Sequence, residues 1–145
     1  MTAKWQNRAT LVIAVLFLAA AGSMTVWRLM RKSHPGSIPW QTDVKAATTE
    51  ARHSGKRLLL DFSATWCGPC QMMADEVWPD GDVAHAVAEH YVPVAIDIDS
   101  DAGATLARQY DINAVPTIMV LDDNGKVLRQ AHGMDVDTLL QFLRK

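Results

Sequence analysis

Cys67 and Cys70 are the only cysteines in this 145-residue chain, separated by Gly68-Pro69. Upstream, Leu58-Leu59-Leu60-Asp61-Phe62 is an apolar run of strand length. A short turn then leads to Cys67 at the start of a helix, with Cys70 three residues on. That spacing puts the two sulfurs on neighbouring helical positions, close enough to bond. So small a loop staples almost nothing, so the use of such a bond is chemical: it opens and closes. The free N–H groups and positive dipole end of the helix favour a thiolate at Cys67. Cys70, one turn in, reads as the more shielded sulfur that acts second. Pro69 has no N–H to lose in a first helical turn, and Gly68 lets a partner backbone come close. Two other readings stand beside this one, a zinc half-site and an inert disulfide. Zinc wants four ligands, and no second cysteine pair exists to complete a site.

Trp66-Cys67-Gly68-Pro69-Cys70, following a strand that carries Asp61, resembles the active-site motif of the thioredoxin family. The resemblance covers residues 40–145. It implies an α/β thioredoxin fold, a central mixed sheet with helices on both faces. It implies Cys67, Cys70 and Asp61 as catalytic residues, with Asp61 buried behind Cys70 and helping to deprotonate it. Val115-Pro116-Thr117 matches the family's cis-proline loop, in which the proline packs against the cysteines and leaves backbone groups free for an extended substrate. Trp66 matches the tryptophan on the site rim. Gly133 matches a groove glycine. The substrate-contacting set is then Trp66, Gly68, Pro69, Val115, Pro116 and Gly133. The family works through its redox-active disulfide without a cofactor or metal. Its partners are protein disulfides and an upstream electron-donating thiol protein. Two positions depart from the pattern: Ala95 stands where a lysine often accompanies the buried acid, and Asp75 where a proline often kinks the active-site helix. Pro79-Asp80-Gly81-Asp82 is similar to the C-terminal thioredoxin-like domain of the transmembrane thiol reductases that serve the periplasm.

The elements needed to position these residues are legible in order. Asp43 reads as the cap of a helix to Arg52, ended by Ser54-Gly55. A strand over 57–62 and a helix over 67–77, stopping before Pro79, follow. Asp82 reads as the cap of a helix over 83–89, and residues 91–98 as a strand. Asp101 reads as the cap of a helix to Tyr110. Residues 115–121 form a strand, and Asp122-Asp123-Asn124-Gly125 turns it into a hairpin partner over 126–130. Asp135 reads as the cap of a last helix with Leu139, Leu140 and Leu143 on one face. Strands alternating with helices, then a hairpin and a helix, argue for a sheet covered on both faces. The histidines, His132 beside Gly133 included, read as surface residues, and Met72 and Met73 as core or groove lining.

Residues 1–8 form a short tail, residues 9–27 a charge-free apolar stretch, and residues 28–39 a Pro/Gly/Ser-bearing linker. As a helix, residues 9–27 just span a ~30 Å hydrocarbon layer at ~1.5 Å per residue. Trp5 and Trp27 would lie at the interfaces. A cleaved signal peptide ending at Ala19-Ala20-Ala21 is the rival reading, but the apolar run continues past that site. The segment therefore reads as a single-pass anchor in a bacterial inner membrane, with the thioredoxin-like domain facing the periplasm. The first 32 residues hold five of the 14 basic residues and no acid. The rest holds nine basic and 16 acidic residues, a net of −7. Such an acidic domain argues against nucleic acid. The leading expectation is a monomeric, membrane-anchored thiol–disulfide oxidoreductase that reduces exported proteins. The alternatives are a redox-silent binding module of the same fold and a copper-handling protein.

Overall fold

A computed structural model describes residues 37–144. The described elements are α1 (Val44–Ser54), β1 (Arg57–Ser63), α2 (Gly68–Met72), a π-helical turn (Met73–Val77), α3 (Gly81–His90), β2 (Tyr91–Asp97), α4 (Asp101–Gln109), β3 (Thr117–Leu121), β4 (Val127–His132) and α5 (Val136–Arg144). The stretch over 9–27 read as an anchor lies outside the described residues. Among the described residues no helix is long and apolar enough to cross a membrane.

The strands form one mixed sheet in the order β2-β1-β3-β4. β1 runs parallel to β2 and antiparallel to β3, and β3 pairs antiparallel with β4. The parallel β1–β2 pair requires a crossover, supplied by α2, the π turn and α3. β1 is central and buried on both faces, which explains its apolar run from Leu58 to Phe62, interrupted by Asp61. Its alternate residues feed two cores. Leu58, Leu60 and Phe62 pack with Ala47 and Ala51 of α1 and with Leu106 of α4. Leu59 packs on the opposite face with Met73 and Val77 of the π turn, Val83 and Val87 of α3, and Leu139 and Leu143 of α5. Each such fully buried aliphatic side chain contributes about 1.5–3 kcal/mol relative to exposure.

Helix ends follow from local chemistry. Asp43 Oδ1 accepts from the N–H groups of Lys45 and Ala46, and Gly55 closes α1 at φ 69°. Asp135 Oδ1 accepts from the Thr138 N–H and starts α5. Two caps differ from the sequence reading. Asp80, not Asp82, caps α3 through the N–H groups of Asp82 and Val83. Ser100, not Asp101, caps α4 through the Gly103 N–H. In both places the cap needs an extended backbone just before the helix, and Asp80 and Ser100 have it. The active-site helix also differs. It is α-helical only to Met72, and then widens so that the Trp78 N–H donates to the Met73 carbonyl. The widening falls where Asp75 stands and ends before Pro79. Trp78, which follows it, is buried edge-on against Trp40 with centroids 5.0 Å apart.

Candidate active site

β1 ends at Ser63, and the chain turns through Ala64, Thr65 and Trp66 to bring Cys67 to the N-cap of α2. The turn is held by the Cys67 N–H donating to the Ala64 carbonyl and by the Gln71 side-chain amide donating to the Thr65 carbonyl. Cys67 is extended (φ −86°, ψ 105°), as a cap must be. Its Sγ accepts from the Cys70 backbone N–H at 3.2 Å. Pro69 occupies the first turn, where its missing N–H costs nothing. Cys67 and Cys70 are joined as a disulfide with Cα atoms 5.2 Å apart.

Exposure does not separate the two sulfurs as their sequence positions suggest. In the disulfide Cys67 is 5% exposed and Cys70 7%, because both pack with Ala64, Ile98 and Val115. What separates them is the cap: Cys67 Sγ accepts from the Cys70 N–H at the helix N-terminus, and Cys70 lies inside the turn.

Trp66, Gly68 and Pro69 are exposed around the disulfide. Trp66 is 66% exposed, and its indole N–H donates to Asp99 Oδ2 at 2.8 Å, fixing the ring at the rim. The Val115–Pro116 peptide bond is cis. A Cβ at Gly133, just after β4, would lie 3.1 Å from Pro116 Cγ, tight enough that the proline ring would have to give by a few tenths of an ångström. The structure therefore brings Trp66, Gly68, Pro69 and Val115 to the cysteines, and Gly133 to Pro116. Thr117 Oγ1 donates to the Ala114 carbonyl and is left to accept from His132 Nδ1 at 3.1 Å. His132, exposed on the neighbouring strand, thus braces the proline loop.

Asp61 lies on the β1 face that carries Leu59, the face covered by the helix bearing Cys70. It is 8% exposed, and its Oδ1 has no hydrogen-bond partner among the described residues. Loss of water on burial pushes its carboxyl up to about 7, against a smaller opposing effect of a hydrogen bond from Trp78. Its cross-strand partners are Ala95 and Ile118, neither of which carries charge. The sequence did not reveal Asp99 as the partner of Trp66: the contact bridges separate elements, and no local spacing announces it. Met73 is buried and Met72 is 50% exposed beside the site. Among the described residues no group of His, Cys, Asp or Glu is gathered to hold a metal ion.

A family model described as thioredoxin-like matches residues 39–123. A thioredoxin of Mycolicibacterium smegmatis is 34% identical over 82 residues, spanning 57% of this chain and 70% of its own. In fold, the chain is similar to a thioredoxin from Thermus thermophilus (TM-score 0.68, 24% identity, 74% of this chain and 85% of the other). It is also similar to the oxidised DsbD C-terminal domain of Neisseria meningitidis (TM-score 0.60, 22% identity, 72% and 97%).

Proposed function

The chain belongs to the thioredoxin-like family, and from that premise we propose that it is a membrane-anchored thiol–disulfide oxidoreductase that reduces disulfides of exported proteins. The exchange chemistry follows from family membership together with the Cys67–Cys70 disulfide. In the reduced protein, Cys67 thiolate attacks one sulfur of a substrate disulfide. The substrate S–S bond breaks, a mixed disulfide forms, and the departing substrate thiolate takes a proton. Cys70 gives its proton to Asp61 and attacks Cys67 Sγ, releasing the second substrate thiolate. Two electrons pass to the substrate, and the protein is left as the disulfide. An upstream thiol protein returns it to the dithiol.

The observation that carries this reading is the Cys70 N–H aimed at Cys67 Sγ, which stabilises charge on that sulfur. Asp61, with a carboxyl near 7, is poised to accept a proton at neutral pH. Trp66, Val115, Pro116 and Gly133 shape the groove for an extended substrate segment. Gly68-Pro69 resembles reducing thioredoxins, which supports reduction as the direction. The charge-free residues 9–27 support the anchor, and the likeness to periplasm-serving reductases supports a domain outside the inner membrane.

The test is trapping in cells with the full chain carrying Cys70→Ser. Mixed disulfides with exported proteins are the expected catch. Adducts confined to cytoplasmic proteins would contradict the location and the substrate class together.

A further inference from the structure

The loop that carries cis-Pro116 keeps its own backbone unbound. Among the described residues, no turn or loop hydrogen bond between backbone groups involves residues 113–116. A loop that offers its backbone to a partner has to be held by side chains instead. On one flank, Val115 packs with Cys67 and Cys70. On the other, Thr117, buried at the start of β3, donates its hydroxyl proton to the Ala114 carbonyl at 2.7 Å. That direction is fixed, because a carbonyl oxygen has no proton to give. His132 Nδ1 lies 3.1 Å from the same hydroxyl oxygen. With the hydroxyl proton already used, the ring must donate, so Nδ1 carries a proton. His132 is the register partner of Thr117 across β3 and β4, and the next residue, Gly133, runs close to the Pro116 ring.

We propose that His132 is a positioning residue for the exchange: its Nδ1–H fixes Thr117 and, through the Thr117 hydroxyl and the Ala114 carbonyl, holds the cis-proline loop in the shape that an extended protein substrate pairs with. This rests on the substrate groove given to Val115 and Pro116 above. Thr117 does not hold the loop alone. A hydroxyl rotates to suit its neighbours, and the second bond from His132 pins its oxygen between the strand and the loop. The sulfur chemistry does not pass through the imidazole. Its loss therefore weakens capture of a protein disulfide and leaves the exchange step itself.

The experiment compares the full chain with its variants His132→Ala, His132→Asn, Thr117→Val and the double variant of His132→Ala with Thr117→Val. Asn offers an amide N–H where the ring has Nδ1, and Val keeps the shape of Thr without its hydroxyl. Turnover is measured with a protein disulfide and with a small symmetrical disulfide too short to lie along the loop. In His132→Ala, KM for the protein disulfide is expected to rise by about two- to tenfold, the worth of one neutral hydrogen bond, with kcat changed by less than about twofold. His132→Asn should bring KM back. Thr117→Val should raise KM as well, and the double variant should be no worse than the worse single one, because both changes remove one linked pair. The small disulfide should show no such rise. Nitrogen NMR of the neutral ring should find the proton on Nδ1. If Thr117→Val does not fold, the Asn rescue and the NMR decide. An unmoved KM in His132→Ala, effects of the two variants that multiply, or a neutral ring protonated on Nε2 overturns the proposal. A wild-type protein that reduces no protein disulfide at all overturns the exchange reading beneath it, a result distinct from an active protein indifferent to His132.

Discussion

Replacing Asp61 by Asn should make the protein more stable at alkaline pH while making it a slower catalyst. The carboxyl has an ordinary value of 3.8 and is pushed to about 7 in the folded protein. Between those values the unfolded chain has lost the proton and the folded chain still holds it. Stability therefore falls as pH rises through this window, and levels off above about 7. A displacement of about three pH units corresponds to about 4 kcal/mol at ~1.36 kcal/mol per unit. Asn has no charge to bury, so the variant should lack this loss. Urea denaturation at pH 4, 7 and 9, comparing the two proteins at each pH, isolates the single group from everything the two proteins share. The expected gap opens with pH, in favour of Asn, towards about 4 kcal/mol at pH 9. In the same variant, release of a mixed disulfide should slow by roughly 100-fold, the lower end for general-base catalysis, while its formation should hardly change. A stability gap that does not vary with pH would refute the argument that desolvation governs Asp61.

Three further outcomes follow from the same geometry. Ala95→Lys places an ammonium across the strand from Asp61 and should lower its midpoint by about 1–3 units, moving the pH dependence of both stability and release downward, as carboxyl NMR can read. Trp66→Ala removes an exposed indole held by Asp99, so stability should stay within about 0.5 kcal/mol while KM for a protein disulfide rises, measured in a turnover assay against thermal unfolding. Gly133→Val pushes a side chain against Pro116 Cγ and should lower kcat/KM on the order of tenfold, about 1.4 kcal/mol, with reduction of a small symmetrical disulfide less affected.

The parts of this molecule that depend on local chemistry could be read from the chain itself. The buried run before Asp61, the Asp43 cap with Gly55 behind it, the turn over 122–125 and the amphipathic last helix each carry their own signal, and each forms where that signal lies. The caps of α3 and α4 were displaced because two acceptable capping residues stand within two positions, and only the backbone angles choose between them. The π turn was invisible for a similar reason: over five residues, one extra residue per turn is too small a change to disturb an apolar pattern. The cysteines, Pro116 and Gly133 came through the motif. The hydrogen bonds of Trp66 to Asp99 and of Thr117 to His132 did not, because each joins separate elements that only the folded sheet brings together.

In the proposed exchange Cys67 attacks and Cys70 resolves. Intact-mass measurement of each single-cysteine protein, reduced and then mixed with a peptide disulfide, tests it directly. The expected result is a rapid, lasting one-peptide adduct on Cys67 in the Cys70→Ser protein, and slow or negligible adduct formation on Cys70 in the Cys67→Ser protein. Equal rates in the two proteins, or faster capture by Cys70, would contradict it.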